Sequence, residues 1–245
     1  MSNHISYRSG NPALNKNTFS NLDCTGSQSM TLEGTVNKTL ISLILLFISA
    51  IYSWQNFSMT IITIGGIGGF ILALTTIFKK EWSPFTTPAY CALKGLAVGG
   101  ISVIFEQQYP GIVSQAIFLT FGILFSLLLA YKTKIIKPTE NFKLGLVAAT
   151  GGIFIIYIIN MIMGFFGSSI PLINSNSMYG IGFSIFVVII ASLNLVLDFD
   201  FIEQGAEKGA PKYMEWYGAF GLMVTLIWLY LEILKLLAKM NSRRN

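Results

Sequence analysis

Along the chain, apolar stretches of about 20 residues alternate with polar breaks seven times. The first runs from Val36 to about Trp54 and the second from Ser58 to Phe78, with only the polar turn "QNF" between them. The third, about Ala89 to Phe105, is followed by "EQQYPG", whose Tyr-Pro-Gly is a turn signal. The fourth covers Ile112 to Tyr131, the fifth Leu144 to Phe166, the sixth Tyr179 to about Leu197 and the seventh about Trp216 to Leu237. Each is long enough to cross a bilayer as a helix. The pattern predicts an all-α fold: a polar N-terminal leader over residues 1–35, then a polytopic bundle of seven transmembrane helices over residues 36–240.

Composition agrees, with 53% apolar and only 11% charged residues, a balance that suits lipid rather than water. The charges sort by loop. Lys79 and Lys80 follow the second run; Lys132, Lys134, Lys137 and Lys143 follow the fourth; Lys208 and Lys212 follow the sixth; the intervening turns carry no Lys or Arg. This asymmetry places the N-terminus, with Arg8 and Lys16, in the cytoplasm. The net charge of +5 then faces anionic lipid, and no nucleic-acid partner is expected. Seven crossings would leave Lys239, Arg243 and Arg244 outside, against the rule, unless one run is re-entrant.

The leader has no apolar stretch followed by a small-residue cleavage site, so no removable signal peptide is expected. Two cysteines, Cys24 and Cys91, and one histidine, His4, make neither a disulfide framework nor a metal set, and no cofactor is expected. No nucleophile has a positioned base, so the chain reads as a non-enzyme. "GGIGG" at 65–69 and "GLAVGG" at 95–100 each carry glycines four apart, the spacing that lets a neighbouring helix approach closely.

The candidate chemistry lies in the ionisable residues within or beside the apolar runs, which are costly in lipid unless paired, wet or functional. The sixth run ends in "LVLDFDFIEQ", holding Asp198, Asp200 and Glu203. Asp198 and Asp200 point about 200° apart on a helix, so they face different neighbours. Asp198 shares its face with Asn194, a polar stripe reaching back into the bilayer, and Asp200 shares its face with Glu203 and Glu207. Asp198 is therefore expected to turn into the bundle while the others face water. Glu232, in "WLYLEILKLL", is expected to pair with Lys235 or to act in function, and Lys94, at a similar depth to Asp198, is expected to pair with it.

Together "RSGNPALNKNTF" in the leader, "YPGIV" after the third run, "LDFDFIEQ" and "LYLEILKLL" resemble the Bax inhibitor family, in its bacterial YccA-like branch. The resemblance implies a bundle with the last helix central, in a bacterial inner membrane, and a proton-sensitive acid pair on the last two helices. The helix-six acid matches Asp198 and the helix-seven acid matches Glu232, although 34 residues separate them here where the family has about 25. It also implies a pH-sensitive calcium leak, with calcium transiently attached at Asp198 and Asp200, or alternatively an interaction protein that regulates a membrane protease or stress response. With a turn near Gly209, Asp198 would be level with about Phe220, leaving Glu232 some 18 Å deeper.

Overall fold

The computed structural model describes residues 29–168 and 170–244. Within them lie α1 (Leu32–Gln55), α2 (Met59–Phe78), α3 (Ser83–Gln108), α4 (Ile112–Lys132), α5 (Glu140–Phe165), the short α6 (Pro171–Asn174), α7 (Met178–Glu207) and α8 (Met214–Arg244). All but α6 are long and apolar enough to cross a membrane, and the architecture is a seven-span helical bundle. His4, Arg8, Lys16 and Cys24, like most of the leader, lie outside the described residues.

Local chemistry sets the helix ends. Thr31, Thr139 and Ser177 each accept a backbone N–H from the first turn they precede, at Gly34, Phe142 and Gly180. Glu106 accepts from the amides of Gly111 and Val113 at 2.6 and 3.0 Å, and Gly111, at φ +86°, makes the turn the sequence marks with Tyr-Pro-Gly. Two boundaries move. α3 begins at Ser83 rather than about Ala89, because Pro84 sits in the first turn, where no N–H is needed. α7 continues to Glu207 rather than ending near Leu197, so "DFDFIEQ" belongs to the body of the helix.

Packing centres on α8, the most buried of the spans, which contacts α1, α3, α4 and α7. Its Tyr217, Phe220, Met223, Leu229 and Ile233 supply much of the main core. Helix α3 lies between α1 and α2 at glycine contacts. A Cβ on Gly99 would collide with the carbonyl of Ala50, one on Gly95 with that of Leu46, and one on Gly65 with that of Leu93. Gly99→Ala is therefore expected to cost about 1–3 kcal/mol, because backbone must move to admit it. The check is a lower melting temperature in detergent, with Gly122→Ala, whose Cβ meets nothing within 4 Å, as the silent control.

The loops at 79–82, 133–139 and 208–213 gather at one end, the basic end, with the start of α1. There Ser29 bridges Pro211, Met30 N–H donates to Ala210 at 2.6 Å, and the buried Glu215 ion-pairs with Lys38 at 2.9 Å and Lys212 at 2.8 Å. Glu215 also accepts from Thr31 N and Oγ1, so one carboxylate ties α1 to α8. The tail lies at the opposite, far end. Every apolar run forms a helix long enough to cross a membrane, and Lys239 at the far end donates to Ser184 Oγ at 2.8 Å and to the Gly180 carbonyl at 3.2 Å. Part of the tail's positive charge is thus met by the protein itself.

One span is held differently. On α5 only Lys143, Leu146 and Ile153 are buried, and the two apolar residues join Val187, Ile190 and Leu197 of α7 in a small cluster apart from the main core.

Candidate functional site

The last third of α7 divides its acids between faces. Asp198 is fully buried and Asn194, one turn earlier, is 1% exposed, whereas Asp200 and Glu203 are partly exposed and Glu207 is exposed. Asp200 ion-pairs with Lys143 of α5 at 2.7 Å and accepts from Gln204 at 2.7 Å. Glu203 accepts the Tyr131 hydroxyl from α4, and Asp200 and Glu207 also lie close enough to act electrostatically on that phenol. Helix α7 thus presents one acid inward and the others towards α4 and α5.

Lys94 is not the counter-charge expected for Asp198. Its stem lies over Gly69, with three methylenes 3.0 Å from where a Cβ would stand, and so faces α2. The lysine among the α7 acids is Lys143. Its place near the break between two apolar runs makes it read as a loop charge, but α5 starts at Glu140 and buries it on the first turn.

The pairing of Asp198 with Glu232 is also absent, for a geometric reason. Helices α7 and α8 are antiparallel with Gly218 against Ile202, so Asp198, four residues back from Ile202, is level with Leu222. Glu232 is ten residues further along α8, about 15 Å at the helical rise. It accepts instead from Tyr157 of α5 at 2.8 Å and from Lys235 at 3.0 Å, and the Lys235 ammonium also stands 5.2 Å from the Tyr157 ring centroid.

Between these two groups lies a third. Asn194 donates through Nδ2 to Thr150 Oγ1 of α5 at 2.9 Å and to the Ile190 carbonyl at 2.8 Å, while its buried Oδ1 has no donor in reach. Thr150 and Tyr157 escape a reading that scores single residues for charge, and Lys143 enters such a reading only as a loop charge. The available signal is their spacing: 143, 150 and 157 are seven apart, one stripe of a helix.

Among the described residues no group of three His, Cys, Asp or Glu could hold a metal ion. Asp198 and Asp200 point to different sides of α7 and offer no shared cage, so the calcium attachment expected of them has no common site. What the acids can do is exchange protons and attract hard cations singly, through oxygen.

Comparison with family models matches residues 11–242 to a family described as Bax inhibitor 1 like. No curated protein matches the chain.

Proposed function

Because the chain belongs to the Bax inhibitor 1 like family of membrane proteins, we propose that it is a pH-sensitive leak for cations, calcium among them, governed by protonation of the α7 carboxylates. The observation that carries this reading is the fully buried Asp198, held two residues from an Asp200–Lys143 ion pair that joins α7 to α5. Acids are retained at such positions when they are paired or functional.

The contacts support one sign for this pH dependence. The packed arrangement uses an ionised Asp200 to hold Lys143, with Tyr131 donating to Glu203 on the α4 side. Protonating Asp200 would remove the charge that holds Lys143, and on this reading lowering the pH favours the leak. The basic end, with its loop lysines, faces the cytoplasm on this reading, in the inner membrane of a bacterium.

The test is calcium release from loaded proteoliposomes across a pH series. Release should rise as the pH falls and exceed that of protein-free vesicles. A rate equal to that of empty vesicles at every pH overturns the proposal.

A further inference from the structure

We infer that the route across the bilayer is the seam between α5 and the α7/α8 pair, with Asn194 and Thr150 as its central cation-contacting step; this rests on the leak reading above.

Among the described residues, three side-chain contacts from one stripe of α5 reach α7 and α8. Lys143 meets Asp200 at the basic end, Thr150 meets Asn194 near mid-depth, and Tyr157 meets Glu232 towards the far end. At seven-residue intervals the steps are about 10.5 Å apart along the helix. Polar groups spaced regularly through an apolar protein, all on one interface, mark a path for something polar. No comparable series joins the glycine-packed interfaces of α1, α2 and α3 among the described residues. There the side-chain hydroxyls mostly bond back to their own helix, as Thr75, Ser49 and Thr39 do, with Thr76 to Thr86 at 2.7 Å as a crossing between α2 and α3.

The middle step points to a ligand independently. Asn194 is 1% exposed, yet its Oδ1, a good acceptor, has no donor. A buried carbonyl oxygen left so costs on the order of 1–3 kcal/mol unless something meets it. Thr150 Oγ1, its neighbour, is only half-buried, so the two oxygens can be reached from the seam. Two uncharged oxygens suit a partly hydrated hard cation that must be bound weakly enough to leave.

The far end of the seam has a mouth. A cavity of about 590 Å³ opens there, lined by Tyr157, Asn160, Gln108, Tyr109, Lys235 and Lys239, and it reaches the Tyr157–Glu232 step. The moving wall is α5 itself, since its small apolar cluster with α7 is separate from the main core and lipid can replace those contacts.

Cysteine labelling tests the route without relying on flux. In a Cys24→Ser, Cys91→Ala background in proteoliposomes, Thr150→Cys should react with a cationic, membrane-impermeant methanethiosulfonate at acid pH, and Phe154→Cys, on the exposed side of α5, should not. The modification should cut calcium release by about tenfold, as expected for a plug at a constriction. Release that continues unchanged with Thr150→Cys unmodified overturns the route and leaves the leak standing. If no chain conducts, the leak reading fails, and the labelling still decides whether water follows this seam. Should the cysteine variant not fold, Thr150→Val in the native chain replaces it: retained helicity with release reduced about tenfold supports the route, and full release overturns it.

Discussion

Lys143→Met should leave the leak open at neutral pH, at a rate the native chain reaches only in acid. The ammonium lies 2.7 Å from Asp200, and the two side chains are 8% and 18% exposed, so water screens the pair little. Methionine keeps the length and apolar stem of lysine beside Leu146 and removes only the charge. Without it, Asp200 retains Gln204 but has lost its cation, while Asp198 and Glu203 remain nearby on the same helix. If the lost attraction favours the packed state by about 2 kcal/mol, below the 3–5 kcal/mol of a fully buried pair, the open fraction rises about 30-fold. Release at neutral pH measures it directly. Lys143→Arg should stay near native, and adding Asp200→Asn to Lys143→Met should change little more, because both substitutions break one contact. A neutral-pH rate equal to that of the native chain would remove Lys143 from the gate.

How far the sequence carries depends on which interactions are periodic along one helix and which cross between helices. The seven spans are legible because lipid imposes a length and an apolar composition on each. The close approach of α1, α2 and α3 at Gly65, Gly95 and Gly99 is legible for the same kind of reason, as a spacing of four within one helix. The inward turn of Asp198 and Asn194 also follows from spacing. The partners of the acids do not, because a partner lies on another helix at a rotation no single segment contains. Depth alone made Lys94 a counter-charge for Asp198, and rotation turned it to Gly69 of α2 instead. Depth correctly left Glu232 far from Asp198, yet nothing local to "LYLEILKLL" could name Tyr157 as its partner. Beyond Leu197 α7 need not be apolar, so hydropathy stops reporting it, and only the helical spacing of Asp198, Asp200, Glu203 and Glu207 carries the reading on to its end.

Asp198→Asn should flatten the pH dependence of release, because asparagine has the shape of the protonated acid and cannot ionise. The residue has no exposed surface, and the acids of α8, Glu215 and Glu232, lie seven and ten residues from its level. A carboxylate so enclosed is sensitive to the charges around it, the Lys143–Asp200 pair two residues along α7 among them. Removing the charge at 198 while keeping the volume separates sensing from packing: the variant should fold with native helicity and release calcium at one rate across the pH series. Asp200→Asn should behave differently. It frees Lys143 and raises the neutral-pH rate, but Asp198 remains and a residual slope should survive. If instead Asp198→Asn keeps the native slope and Asp200→Asn abolishes it, the ion pair itself is the sensor and Asp198 serves only to shape the packing behind it.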